Sequence, residues 1–415
     1  MRLTPCVRWL AVWLVVGSLG SARAEEPVGL PSPLGLDAAL AVAREQRAEI
    51  GASRARARAA EQEPGVVYPL EDPMLMPMIN HLPLRFDGLD VAVLVEQRMP
   101  LSRLRRHRRD AAIALRDRAL AGVSRTTLDV ALAATEAFFM LWMRREMARI
   151  LERQLELSAE FVAAAEARYA SATGPQSDVL RAEIEVSRIK MQKRALSAEI
   201  SAAEAMLRAS LGLPPETVMP ALAAWTPSSP APSSSTAVGR AYEHRPELAA
   251  GRAEIRGAEA DVRAMRSMYA PMGLLRTGPA YTMTDGPGVM LAFGISLPRR
   301  NRVRAQVQQA EAMAAMTRSD LAAMRRMIEG EASAAQGYVA AAQARVDSLR
   351  DDVLPRAGAT IEPTLAGYAA GQLPLVSVIE AARALWAVQM DLVTAQAELG
   401  IAWAELRRAI GEDRP

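Results

Sequence analysis

Two segments of the chain, 168–188 and 367–387, carry one pattern of residues, and this duplication constrains the fold more than any other feature. At a constant offset of 199 residues, the matching pairs are Tyr169 and Tyr368, Pro175 and Pro374, Val179 and Val378, Leu207 and Leu406, and Gly212 and Gly411. The segments 45–61 and 243–259 match in the same way at an offset of 198 residues. A fixed period of this kind indicates two copies of one structural unit.

The residues around the two copies give the predicted boundaries. A basic start, an apolar run and an Ala-x-Ala site ending at Ala24 predict a secretory signal peptide. The predicted parts are the signal at 1–24, a first repeat at 25–225, a Pro- and Ser-rich linker at 226–237, a second repeat at 238–411 and a tail at 412–415. Cys6 is the only cysteine and lies in the signal, so we expect no disulfide. We also expect no membrane-spanning helix, because the other apolar runs contain charges.

The charge balance argues against nucleic-acid binding. The formal net charge of +3 equals the three arginines of the predicted signal, Arg2, Arg8 and Arg23. Without the signal the chain is close to neutral, whereas domains that bind nucleic acid are strongly basic.

Each copy is dominated by long helical runs that are separated by a tip rich in Gly and Pro. The predicted long helices are about 101–170 and 178–211 in the first copy, and about 299–369 and 376–410 in the second. Apolar residues that recur every 3.5 residues on average predict coiled-coil packing. A run of about 70 residues is about 105 Å long at about 1.5 Å per residue. The unit is therefore elongated.

Two short non-helical segments in each copy alternate in polarity with period two. In 88–101 one face holds Leu89, Val91, Val93 and Val95, and the other holds Asp90, Ala92, Leu94 and Glu96. In 288–300 the apolar face holds Val289, Leu291, Phe293, Ile295 and Leu297. One apolar and one mixed face are typical of strands between lipid and a pore. With their partners we predict four strands, within about 72–99 and about 272–297.

Four strands in one chain cannot close a barrel. An open sheet edge in lipid leaves backbone groups unpaired, at a cost of roughly several kcal/mol each. Two copies would give eight strands with a filled interior, whereas three copies would give twelve strands and room for a passage. We therefore predict a mainly α fold with long coiled-coil helices and a transmembrane β-barrel of twelve strands that a trimer closes.

The two tips resemble the tip motif of the TolC-like outer membrane efflux proteins, which reads roughly Tyr-x-x-Gly-x-x-x-x-Asp-Val-Leu-x-Ala. The first tip has Tyr169, Ala172 at the glycine position, Gly174, Pro175 and Asp178. The second tip has Tyr368, Gly371, Pro374 and, at the aspartate position, Ser377. The resemblance extends over about 35–411 and includes the duplication and the order of the segments.

This resemblance implies a homotrimer in the outer membrane of a Gram-negative cell, with a periplasmic α-barrel and no cofactor. It implies a passive exit duct of a tripartite pump, together with a periplasmic adaptor (membrane fusion) protein and an inner-membrane transporter of the resistance-nodulation-division type. In such channels the tips contact the adaptor, and acidic side chains line the aperture at the positions of Ser377 and Glu380. With serine at one position we expect a weaker charge gate. Glu380 is equally consistent with a solvated helix end.

Two basic clusters occupy matching positions at the start of the long helices. They contain Arg105, Arg106 and Arg108 in the first copy and Arg299, Arg300 and Arg302 in the second. Cations at a helix N-terminus oppose the helix dipole, so another interaction must favour them. We expect them to lie at the periplasmic face of the membrane, near anionic outer-membrane lipid head groups. A solvated basic turn is the alternative.

A methionine-rich stretch, Met74, Met76, Met78 and then His81, raises the question of a metal site, because thioether and imidazole groups bind soft metals. Methionine is also a common apolar filler, and the second copy lacks the cluster. We therefore treat these four residues as weak candidates and expect no resident metal. The stretch loosely resembles the heavy-metal branch of the efflux family, with its CusC-like and CzcC-like channels. This favours metal cations over organic drugs as cargo.

The sequence contains no motif that predicts an enzyme, and its carboxylates lie among arginines on helix faces, where ion pairs are expected. Two alternatives to an efflux channel stay open. One is an outer-membrane channel of a protein-secretion system, and the other is a periplasmic coiled-coil scaffold without a barrel.

Overall fold

The computed structural model of the protein describes residues 29–81, 90–227, 230–282 and 284–412. The predicted signal peptide at 1–24 and the side chain of His81 lie outside the part that can be described.

Each repeat begins with two short helices, continues with two strands and ends with long helices. The first repeat contains α1 Leu36–Gln46, α2 Ala48–Val67, β1 Met74–His81, β2 Asp90–Pro100, α3 Leu104–Ala170 and α4 Gln176–Leu211. The second contains α5 Ser234–His244, α6 Pro246–Ser267, β3 Met272–Thr282, β4 Gly286–Ser296, α7 Arg300–Ser348, α8 Leu354–Ala359, α9 Ile361–Ala369 and α10 Leu375–Ile410. The element order is thus duplicated, although the second repeat has more breaks.

The run predicted as one helix at 299–369 is interrupted. A π-helical turn, Leu349–Val353, separates α7 from α8, and Thr360 separates α8 from α9. Pro355 and Pro363 explain these breaks, because proline removes a backbone donor and clashes with the preceding turn. The prediction of a continuous helix was wrong here, since α3 has no proline at the matching positions.

The predicted linker at 226–237 is shorter than expected, because α5 starts inside it. The Ser233 hydroxyl accepts a hydrogen bond from the backbone N–H of Thr236 and so caps the helix. Ala237, four residues later, is fully buried against α7 and α10. The serines that suggested a flexible linker therefore form a helix start.

The helices lie side by side around the two longest ones, α3 and α7. Helices α6 and α10 pack between α3 and α7. Helices α2 and α4 pack on the other side of α3. Helix α3 contains a stretch that is long and apolar enough to cross a membrane by length and composition. Its side chains Phe138 and Leu141 are fully buried in the main core cluster, which accounts for that apolar composition.

The ends of α4 and α10 are fixed by the same contact in both repeats. Arg47 Nη1 donates to the Ala209 carbonyl at 2.7 Å, and Arg245 Nη1 donates to the Arg408 carbonyl at 3.0 Å. Both helices stop at a glycine in the left-handed region, with φ values of 74° at Gly212 and 80° at Gly411. A Cβ atom on Gly411 would lie 2.7 Å from the carbonyl group of His244. Glycine therefore lets the end of α10 lie in direct contact with the break between α5 and α6.

The strands form one antiparallel sheet in the order β1-β2-β3-β4, so β1 and β4 are its edges. Side chains of one face, which we call the lipid face, are apolar and exposed; they include Val91, Val93, Val95, Leu291, Phe293 and Ile295. The opposite face, which we call the inner face, holds Glu96, whose carboxylate pairs with Arg276 at 2.8 Å. This ion pair places charged groups on the inner face of the sheet.

Candidate functional site

The methionines of β1 lie on the inner face of the sheet. The strand register places Met74 opposite Glu96, Met76 opposite Leu94 and Met78 opposite Ala92, and these three partners are buried on the inner face. Met290 of β4 also lies on the inner face, because it is two residues from Ala292, which pairs with Arg276. Among the described residues, no group of three or more His, Cys, Asp or Glu side chains could hold a metal ion. The thioethers therefore lie on the inner face with Glu96, opposite Met74 and paired with Arg276, as the carboxylate beside them.

The two helical tips use the same backbone turn. Gly371 has a φ of 75° and Ala172, at the matching position, has a φ of 57°. Ala172 is the one non-glycine residue with positive φ in the described parts of the chain, and a Cβ makes that conformation unfavourable. Gly174 does not take over the left-handed turn. Its role is steric, since a Cβ there would lie 3.1 Å from the Arg168 Cβ.

Arg168 joins the two tips, and this contact was not predicted from the sequence. Its Nη1 donates to the Tyr368 carbonyl at 2.7 Å, and its Nη2 donates to the Thr173 carbonyl at 3.1 Å. The guanidinium also stacks on the Tyr368 ring, 4.6 Å from the ring centroid. No sequence signal marks this pair, because Arg168 matches Gly367 rather than another arginine in the repeat alignment.

The predicted tip residues differ in exposure. Tyr169, Pro175, Gly371 and Pro374 are exposed, whereas Tyr368 is only 3% exposed. Burial raises the pKa of Tyr368, and the charge of the nearby Asp178 raises it further, so the hydroxyl stays neutral. The exposed set is available to a partner, while Tyr368 packs between the tips.

The predicted aperture residues stand beside an ion pair. Glu380 is exposed and Ser377 is half-buried in the first turns of α10. Arg383 binds the buried Glu185 of α4, with Nε 3.1 Å from Oε1. This hydrogen bond raises the pKa of Arg383, and the charge of Glu380 adds to the effect. The local group of Glu185, Glu380 and Arg383 therefore carries one net negative charge per chain.

The two basic clusters differ in their contacts. In the first cluster, Arg105 and Arg109 stack on Tyr68 at 4.9 and 5.0 Å from its ring centroid, and Arg105 Nε donates to the Tyr68 carbonyl at 2.7 Å. In the second cluster, Arg299, Arg300 and Arg302 are exposed, and the described residues offer them no ion-pair or hydrogen-bond partner. The two clusters thus differ although their sequences match, because within the described ranges the first cluster alone has an internal partner for its charge.

These features define the fold of TolC-family outer-membrane channels. The outer-membrane channel OprN superposes with a TM-score of 0.78 at 18% identity, over 91% of this chain and 89% of that chain. The outer membrane protein VceC from Vibrio cholerae gives a TM-score of 0.76 at 16% identity, over 91% and 96% of the two chains. The predicted fold class, mainly helical with four strands per chain, is confirmed.

Residues 237–412 match the family model of the outer membrane efflux proteins. Outer membrane efflux protein BepC of Brucella suis biovar 1 is 27% identical over 288 residues, which make up 67% of this chain and 62% of that protein. The match thus spans less than two thirds of the length of this relative. These similarities support a TolC-like protein whose second repeat matches the family model, and they confirm the expected outer-membrane location.

Proposed function

We propose that the protein is the outer-membrane duct of a tripartite efflux pump, through which cargo leaves passively. The observation that carries the proposal is the four-stranded sheet with two open edges, an exposed apolar face and a charged inner face, mounted on long helices. Such a sheet needs further strands at both edges, because unpaired backbone groups cannot remain in lipid. Three chains would supply twelve strands around a passage.

The assembly is tested by membrane fractionation and gel electrophoresis of the full chain. We expect the protein in the outer-membrane fraction as a trimer that survives mild detergent and dissociates on boiling. A soluble periplasmic monomer would overturn the proposal and favour the scaffold. The exposed lipid face argues against a scaffold, because its side chains, such as Leu291 at 74% and Phe293 at 62% exposure, would lie in water.

The tips are the proposed contact with a periplasmic adaptor, which in turn would link the duct to an inner-membrane transporter of the resistance-nodulation-division type. Exposed Tyr169, Pro175 and Pro374 support this, because they lie at the end of the helices that is farthest from the sheet. We propose that Glu380 and Ser377 line the aperture. The neighbouring Arg383 weakens the negative charge there, in agreement with a weak gate.

Soft metal cations are the cargo that the inner face favours. A lumen wall is normally polar, yet β1 lines it with Met74, Met76 and Met78. Thioethers favour soft ions such as Cu(I) over hard ions or protein cargo. A deletion strain challenged with copper, silver, zinc, cobalt and a drug panel tests this. We expect sensitivity to copper and silver, and sensitivity to drugs alone would refute metal cargo.

A further inference from the structure

A cavity of about 360 Å³ lies where the sheet of the second repeat meets its helices. It is lined by the end of α6, the start of β3, the end of β4 and the start of α7, and on one side by the end of β2 and the start of α3. The polar side chains at its wall are Arg299, Arg302, Gln306, Ser102, Ser267 and Ser296. The remaining wall is largely apolar, with Leu297 among the lining residues. The cavity thus combines two guanidinium groups, an amide and three hydroxyls with an apolar surface.

The positive charge at this cavity has no counter-ion among the described residues. Arg299 and Arg302 have no ion pair or hydrogen bond in the described residues, and the first turn of α7 has no acidic side chain. In the first repeat, by contrast, Tyr68 covers Arg105 and Arg109. Because cations at the start of a helix oppose its dipole, an anion at the second cluster would relieve an unfavourable arrangement.

The position of the cavity indicates where that anion comes from. The lipid face of β4 ends beside the arginines, with Ile295 at 54% and Leu297 at 79% exposure. An amphiphile with a negative head group would place its head between Arg299 and Arg302 and its acyl chains along the lipid face. A free anion would use the arginines but would leave the apolar surface of Leu297 uncovered.

We propose that this cavity binds the phosphate head group of an anionic phospholipid, with one site per chain and none at the matching place in the first repeat. The proposal rests on the placement of the sheet in the outer membrane. Arg299 and Arg302 bind the phosphate oxygens, and Gln306 and the serine hydroxyls hydrogen-bond to the glycerol part. The site fastens each chain at the border between membrane and periplasm.

The test measures lipid retained by the full-length protein in native mass spectrometry after exchange into phosphatidylglycerol or phosphatidylcholine. We expect phosphatidylglycerol to be retained, and the Arg299→Gln/Arg302→Gln variant to retain it at least about fivefold less. The control is Arg325→Gln/Arg326→Gln, which removes the same charge from exposed positions of the same helix. We expect this control to retain lipid like the parent protein.

The proposal would be overturned if the Arg299→Gln/Arg302→Gln variant and its control retained phosphatidylglycerol equally. It would also be overturned if the parent protein retained phosphatidylglycerol and phosphatidylcholine equally. A further arm adds inorganic phosphate, and loss of the lipid to an equimolar amount of free phosphate would identify a simple anion site instead. Trimer formation in mild detergent is measured for every variant. A trimer that retains no phosphatidylglycerol refutes the lipid site alone, whereas failure to enter the membrane refutes the proposed function as well.

Discussion

At the scale of single residues, a few contacts fix the geometry of the tips and the helical core. Arg168 reaches from the end of α3 to Tyr368 in the other repeat, and the ring, the carbonyl and the Thr173 carbonyl all bind it. The contact joins residues 200 positions apart in the chain. The contact holds the two tips of one chain together, because the helices of one repeat alone would not fix the position of the tip of the other repeat.

Replacing Arg168 by leucine should loosen the tips without unfolding the protein. The charged hydrogen bond to the Tyr368 carbonyl and the stacking on its ring are lost, so we expect local opening of 368–374 to become easier by about 2 kcal/mol. Hydrogen exchange of the backbone amides in that segment measures this. Arg181→Leu, at an exposed position of α4 without a partner in the described residues, is the control, and equal exchange in both variants would contradict the role of Arg168.

Gly400 is required by close packing rather than by its backbone conformation. A Cβ at this position would lie 2.1 Å from Phe139 Cζ, so Gly400→Ala should destabilise the protein by about 1–3 kcal/mol and lower its Tm. Adding Phe139→Leu should restore part of the loss. Gly239→Ala, where nothing lies within 4 Å of the added Cβ, should leave the Tm unchanged or raise it. A similar loss in both alanine variants would contradict the packing argument.

At the scale of elements, one group of charges around the buried Arg245 joins four helices, α3, α6, α7 and α10. Arg408 of α10 binds Glu247 of α6 at 2.6 Å and Asp129 of α3 at 2.5 Å. Arg245 also pairs with Glu247, at 3.3 Å, and with Glu331 of α7. The first repeat keeps the contacts of Arg47 with the Ala209 carbonyl and with Glu49, at 2.7 and 2.6 Å, but it has Ala209 at the position of Arg408. The arginine that links the other helices is therefore specific to the second copy.

The network predicts an acid-sensitive contribution to stability. Burial acts to raise the pKa of Glu247. Hydrogen bonds from its own backbone N–H and from Arg408 outweigh burial, together with the charges of Arg408 and Arg245, so the pKa of Glu247 is lowered. A lowered folded pKa gives stability that is full above the unfolded value, about 4.3, and is lost as the pH falls through the folded value. The Tm of the parent protein should therefore fall below about pH 4.3 more steeply than that of Glu247→Gln.

The control for this pH profile is Glu166→Gln, at an exposed position of α3 without a partner in the described residues. Its profile should parallel that of the parent protein. Parallel profiles for Glu247→Gln and the parent would show that Glu247 makes no such contribution.

Some helices and strands could be predicted from the sequence, and others could not. Alternation with period two predicted the strands and their apolar face, and glycine predicted the ends of α4 and α10, because these signals are local. The breaks in 299–369 and the helix inside the predicted linker depend on Pro355 and on the Ser233 cap, which the repeat alignment obscured. Arg168, Arg245 and Gly400 could not be predicted, because their partners come from distant parts of the chain.

At the scale of the whole molecule, the central claim is that several copies of one open sheet close a barrel. In one chain β1 and β4 are opposite edges of the sheet and do not pair. In a closed barrel, β4 of one copy lies beside β1 of the next. A bond between these two strands can therefore form only between chains.

Cysteine cross-linking measures this directly in a Cys6→Ser background, which has no other cysteine. Leu75→Cys on β1 is combined with a cysteine at Val289, Leu291, Phe293 or Ile295 on β4, all on the lipid face. The control, Leu75→Cys with Val95→Cys, joins opposite residues of β1 and β2 within one chain. We predict cross-linked dimers and trimers, and no larger species, for at least one β1–β4 pair, with monomers alone in the control. Monomers for every pair, or a ladder beyond three chains, would contradict the account.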